Sequence, residues 1–313
     1  MIKGPKGGRS EAIFILQRRS KLIRLSKTLL SFLVCIPVQA IADIDCPIFE
    51  GGILRDFISS EQLVEAMSSI PPERDEFQSS ADYTATVWEA LGTATEATVF
   101  EVDEGDRSFI SYNADEQRIE VGTGHFDSYS VLDFDRYQLR EFFDLSLDDF
   151  EQYMSEHLIV GLADRQTSVG TFTGANSFGL TKDVIVYDRV SVSLHGGLYE
   201  GIESLTAWSF APDEFIDGGY GISSPHITIP MPPDVAREEM PGLRAVVATT
   251  GLSEIFFVTN TYFPPTTNWP VEITSVNFLF ITEILCGGFI DGNSRIIKVV
   301  PLIDEPIRYP SNK

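Results

Sequence analysis

The sequence predicts an α+β fold, mostly antiparallel β-sheet with a helical N-terminal portion. Three observations carry that reading. Two stretches between residues 59 and 91 place apolar side chains at helical spacing. From Thr95 the apolar period drops to two, and after Ile159 runs of β-branched and aromatic residues recur between turn residues. The 313 residues are 43% hydrophobic and include 22 Phe and 10 Tyr, enough apolar material for a core, which excludes wholesale disorder.

Residues 1–42 read as a secretory signal peptide. Eight Lys/Arg against one acid are followed by the apolar stretch Leu29 to Val38, then Ala40-Ile41-Ala42. Pro37 suits the break between the apolar stretch and the cleavage site. An uncleaved anchor needs about twenty apolar residues, roughly double what is present. Cleavage is expected after Ala42. Bulky Leu33-Val34 ahead of Cys35 argue against lipid attachment there. The best later apolar run, Asn277 to Cys286, is interrupted by Glu283, so no stable membrane insertion is expected after cleavage.

In the remaining chain, Ser59 or Ser60 caps a first helix whose Leu63, Val64, Met67 and Ile70 share a face, and Pro71-Pro72 stops it. A second amphipathic helix spans Ala81 to Leu91 on Tyr83, Val87, Trp88 and Leu91. Short strands at 98–102, 108–112 and 117–121, with Glu104-Gly105-Asp106 and Ala114-Asp115-Glu116 as turns, read as a β-meander. A third helix is expected over Arg140 to Leu158. Beyond it come strands at 183–194, 205–210, 227–229, 244–249, 255–260, 272–282 and 296–300. A short helix at Asp234–Met240 enters through Pro232-Pro233. The composition shift near residue 160 divides 43–160, helices plus meander, from a β-rich 161–313; a single core shared by both is the alternative.

Charge narrows the function classes. The net charge is −23, and because the first 42 residues are basic, residues 43–313 carry 45 acids against 15 bases, of which only Lys182, Lys298 and Lys313 are Lys. Such a polyanion repels phosphate backbones, so nucleic acid is excluded as a partner. Asn-x-Ser/Thr sequons are absent, which leans toward a bacterial source.

Catalytic motifs are sparse. No Gly-x-Ser-x-Gly elbow, Ser-x-x-Lys or phosphate-binding Gly-x-x-x-x-Gly-Lys occurs. His195-Gly196-Gly197 has the composition of an oxyanion loop but reads as a strand-ending turn without an elbow. The four histidines lack metal-ligand spacing. His125 and Asp127, one residue apart, form the best local acid–base pair, against the plainer reading of a turn histidine beside a solvated acid. Calcium is the natural cation for an acidic extracytoplasmic chain, and Asp133-Phe134-Asp135 and Asp103 to Asp106 cluster oxygens, but no EF-hand register follows. No cofactor is expected. The forty-five acids also leave many carboxylate pairs for glycoside hydrolysis and select none.

Two further features stand out. Thr261 to Pro270 interleaves aromatic residues with prolines, which fix the backbone, so Tyr262, Phe263 and Trp269 are candidate contact residues on a rigid loop. The alternative is that the rings fold back over the sheet edge. Once the leader and Cys35 are gone, Cys46 and Cys286 remain, the arithmetic expected for one bridge outside the cytoplasm. Gly287-Gly288 would let the N-terminal segment approach closely. Closing so long a loop is worth roughly 4–5 kcal/mol in the chain-entropy model.

Pro72 to Tyr83 resembles a segment of uncharacterised secreted bacterial proteins, with Gln78 where that pattern has Glu and Thr86 where it tends to have Arg. Ser168 to Leu180 is similar to a strand-turn-strand element of the same proteins. The resemblance implies fold and location and carries no activity. The functional expectation is a secreted or periplasmic, non-catalytic binding or envelope-associated module with a protein or glycan partner. The alternative is an extracytoplasmic hydrolase of unfamiliar type, using carboxylates or the His125/Asp127 pair.

Overall fold

The computed structural model describes residues 46–71, 74–103, 110–122, 159–175, 179, 181–196, 209–210, 213–217, 223–252 and 256–303. The expected leader, the helix over 140–158, His125 and Asp127 lie outside the described residues. Among the described residues, no helix is long and apolar enough to cross a membrane.

Helix α1 (Ser60–Ser68) begins at a capping box: Ser59 accepts from the Gln62 backbone N–H while the Gln62 side chain reaches back to Ser59. Helix α2 (Ser80–Leu91) is capped by the Ser79 hydroxyl, which accepts from the Asp82 N–H. It buries Tyr83, Val87 and Leu91, the spacing that predicted it. Burial pushes the Tyr83 hydroxyl up to about 12, and the same group donates to the Pro71 carbonyl at 3.1 Å. A short helix α3 (Pro233–Glu239) follows Pro232, as Pro at a first turn favours.

Thirteen strands form three sheets among the described residues. The first has β1 (Val99–Glu101), β9 (Arg244–Thr249), β12 (Ile284–Ile290), β13 (Ile296–Ile303) and β6 (Ser209–Phe210) in the order β1-β9-β12-β13-β6. The second has β10 (Phe256–Phe263), β11 (Val271–Thr282), β5 (Thr181–Gly196) and β4 (Ile159–Ala175) in the order β10-β11-β5-β4. The third is β2 (Ile110–Asn113), β3 (Arg118–Gly122), β8 (Ser223–Pro230) and β7 (Glu214–Asp217), ordered β2-β3-β8-β7. Every pairing is antiparallel except β11 with β5. The fold is α+β and mostly antiparallel.

Two details differ from the sequence reading. The expected meander is split: β1 pairs with β9, and only β2 and β3 form a hairpin. All three β1 residues are buried, so this strand belongs to a covered sheet rather than to a ribbon with one wet face. Cys286, the last residue of the apolar run that begins at Asn277, lies within a strand as the third residue of β12, because that run breaks at Glu283 into β11 and β12.

The main core draws on both sides of residue 160. Leu63, Met67, Tyr83 and Val87 from the helices meet Phe100, Val192, Leu194, Phe256, Phe278, Phe280 and Phe289 from the sheets. Trp88 packs edge-on to Phe256, with ring centroids 6.4 Å apart, and lies 6.2 Å from Phe280. A second cluster covers the other face of the five-stranded sheet with Ile48, Val99, Val246, Ala248, Cys286, Ile290 and Ile296. There the N-terminal segment is held by a disulfide from Cys46 to Cys286 (Cα–Cα 5.7 Å) and by hydrogen bonds such as Gly51 N–H to the Ile296 carbonyl at 2.7 Å. A Cβ on Gly288 would sit 2.8 Å from Ile48 Cδ1 and 3.0 Å from the Lys298 carbonyl oxygen. Glycine is what admits the segment.

Candidate binding site at the end of the four-stranded sheet

Strands β4 and β5 have 17 and 16 residues, two to three times the usual strand. At about 3.3 Å per residue, β4 is roughly 55 Å long. Its first five residues are largely buried in the core, but Asp164 to Thr173 are exposed. The sheet therefore has a core-bound half and a half that reaches past the core.

Alternation along the strands settles what each face carries. One face of the core-bound half presents Phe278, Phe280, Val192 and Leu194 to the helices. The opposite face carries a buried polar network around Asn277. The Asn277 side-chain oxygen accepts from Ser191 Oγ at 2.6 Å and Ser275 Oγ at 3.0 Å, while its amide donates to Thr259 Oγ1 and Thr261 Oγ1, each at 3.3 Å. All four hydrogen-bonding positions of the amide are used, across β5, β10 and β11. This fixes the register of the strands that run out to the sheet end.

That end is poor in charge for this chain. Residues 165–182 contain Arg165 and Lys182 and no acid, and residues 255–271 contain no charged side chain at all. The two stretches meet where Lys182 Nζ donates to the Thr267 carbonyl at 2.8 Å. Val169, Phe172 and Ile185 are exposed there, the last two on opposite faces of the hairpin. A groove of about 470 Å³ lies between Phe172, Gly174, Lys182 and Val184 on one side and Pro265, Thr267 and Pro270 on the other.

Of the three aromatic residues singled out in the sequence, Tyr262 and Trp269 are exposed (57% and 47%) and Phe263 is half-buried. Tyr262 and Phe263 end β10; Trp269 stands in the following turn, where its N–H donates to Thr266 Oγ1 at 3.0 Å and its carbonyl accepts from the Thr266 N–H at 2.8 Å. The loop is thus braced by its own hydrogen bonds as well as by its prolines. Partial burial, and then the hydrogen bond to the Glu272 carboxylate and its charge, raise the Tyr262 hydroxyl above its ordinary value.

The carboxylates run the other way. Burial alone would raise Glu120, but hydrogen bonds from Asn113 and Arg118 and the charges of Arg118 and His226 hold it below its ordinary value. Asp213 is likewise held down, against burial, by the Thr228 N–H and by Lys298, and Asp291 by the backbone N–H groups of Arg295 and Asn293 and by the Arg295 guanidinium. A general acid requires a carboxyl held protonated. These three are held ionised.

His195 is the penultimate residue of β5, which ends at Gly196, and it is buried; Gly197 lies outside the described residues. Among the described residues no group of three or more His, Cys, Asp or Glu converges as a metal would require; Asp133 and Asp135 fall outside them. Sequence reasoning passed over Phe172, Val184 and Lys182. The available signals were the rarity of lysine and the two acid-free stretches. No family model, curated protein or solved structure matches the chain.

Proposed function

We propose that this is an extracytoplasmic, non-catalytic binding module that meets a protein or glycan partner through the far end of its four-stranded sheet. One observation carries the reading. Tyr262, at the end of β10, and Trp269, on the braced, proline-flanked turn that follows, stand exposed at the end of a sheet whose register is locked from within. Rigid aromatic groups lose little entropy on contact and are favoured at interfaces. The bridge from Cys46 to Cys286 supports a compartment where disulfides persist, reached by way of the leader at 1–42.

The hydrolase alternative gains no support from Glu120, Asp213 or Asp291, each held ionised. The test is gel filtration of an extract from the native host. The wild-type protein should elute in a complex larger than the chain without residues 1–42, and the double variant Y262A/W269A should elute alone with an unchanged melting temperature. Identical elution of the two proteins would contradict the proposal.

A further inference from the structure

We infer that the groove at the sheet end is a binding site for a monomeric single-chain amphiphile with an anionic head, of the fatty-acid class. Its chain would lie among Phe172, Val184, Pro265 and Pro270, and its carboxylate would meet Lys182. This goes beyond the partner surface proposed above, because it rests on the groove and Lys182 rather than on Tyr262 and Trp269.

The groove, at about 470 Å³, falls in the size range of small-molecule sites, roughly 300–1,000 Å³. Its lining is mixed: Phe172, Val184, Pro265 and Pro270 give it apolar walls, and three threonines and Lys182 supply the polar groups. Gly174 keeps its floor open, since a Cβ there would stand 3.2 Å from Val184 Cγ2 and 3.5 Å from Phe172 Cε2. Charge selects the head group. Among the described residues, the only hydrogen-bond partner of the Lys182 ammonium is the Thr267 carbonyl, which leaves two donors for a ligand. The neighbouring Asp183 points to the other face, where it accepts from Thr173 Oγ1 at 2.8 Å, and Glu272 is engaged by Tyr262. The other described lysine, Lys298, is paired with Asp213. An ammonium with no carboxylate partner among the described residues is conspicuous in a chain of net charge −23. The same net charge argues against a membrane as the occupant, since an anionic bilayer attracts clusters of bases and repels a polyanion; the local Lys182 ammonium is what favours an anionic head.

The experiment uses the protein recovered after expression of the full chain, titrated with 11-(dansylamino)undecanoate below its micellar concentration. Saturable binding of one probe per chain is expected, and dodecanoate should displace the probe about tenfold better than dodecanol, as one charge-assisted hydrogen bond allows. Lys182→Gln should abolish that preference while leaving displacement by dodecanol unchanged. Gly174→Leu, whose side chain would rise from the groove floor beside Phe172 and Val184, should abolish probe binding, and Val235→Trp on α3 should not. Y262A/W269A should keep probe binding, so failure of the partner surface and failure of the groove are distinguishable. Equal displacement by acid and alcohol, a preference that survives in Lys182→Gln, unimpaired binding by Gly174→Leu, binding lost in Y262A/W269A, or binding only to anionic vesicles would each overturn the inference. Melting curves confirm that every variant is folded.

Discussion

Removing the disulfide from either end should expose an asymmetry between its two cysteines. The bridge joins residues 240 apart in sequence, and the chain-entropy model gives about 5 kcal/mol for a loop of that length. Cys46 is only half-buried, so Cys46→Ser sheds the cross-link and little else. Cys286 is fully buried among Val99, Val246, Ala248 and Ile290, so Cys286→Ser also strands a hydroxyl in an apolar cluster, for about 2 kcal/mol more. The N-terminal segment keeps other anchors in both variants, including Leu54 N–H to the Ser294 carbonyl and Ile296 N–H to the Gly52 carbonyl, each at 2.8 Å. The cross-link therefore acts mainly on the unfolded chain, and losing it should raise the denaturant slope as that chain expands. Urea unfolding followed by tryptophan fluorescence measures both quantities. Wild type in reductant should match Cys46→Ser, and Cys286→Ser should fall below it. Equal midpoints for the two variants, or a Cys46→Ser protein within about 1 kcal/mol of wild type, would refute the reasoning.

The same titration reports three other substitutions. Asn277→Leu removes the hub of a buried network spanning three strands, leaving the Ser191, Ser275 and Thr259 hydroxyls short of partners, and should cost about 3 kcal/mol. Gly288→Ala drives a methyl against Ile48 and the Lys298 carbonyl and should cost about 2 kcal/mol. Asp291, only 1% exposed, accepts from the Asn293 and Arg295 N–H groups and from Arg295 Nε. Its folded pKa is lowered from 3.8, so its stabilisation is present above that value and is lost as pH falls through the folded one. Asp291→Asn should therefore lose about 2 kcal/mol at pH 7 and show a shallower decline below about pH 4 than wild type.

Local signals in the sequence were readable where the cause of structure is local. Ser59 caps the first helix, the apolar spacing of Tyr83, Val87 and Leu91 marks the second, Arg244–Thr249 is a strand with the bounds its apolar run indicates, and the cysteine arithmetic identified the bridge. Non-local pairing was not readable. Val99–Glu101 reads as the neighbour of the next strand but pairs with a strand some 145 residues later, because burial of all three residues is satisfied only there. Glu283 looked like a flaw in one apolar run and is in fact the joint between β11 and β12. The Asn277 network left a faint trace, polar residues at 275 and 277 on one side of an alternating run, but its partners on β5 and β10 come together only in the folded sheet. At the candidate site, Tyr262 and Trp269 were legible from composition. The groove was not, because its walls come from segments about ninety residues apart.

The claim that the sheet end is the contact surface is tested most directly by photo-crosslinking in the native host, with a photoreactive phenylalanine placed at Trp269 or at Val235. Both positions are exposed, 47% and 40%, the first at the sheet end and the second on α3. The account predicts a discrete higher-mass adduct from position 269 and none from position 235. Adducts of equal yield from the two positions, or from position 235 alone, would contradict it.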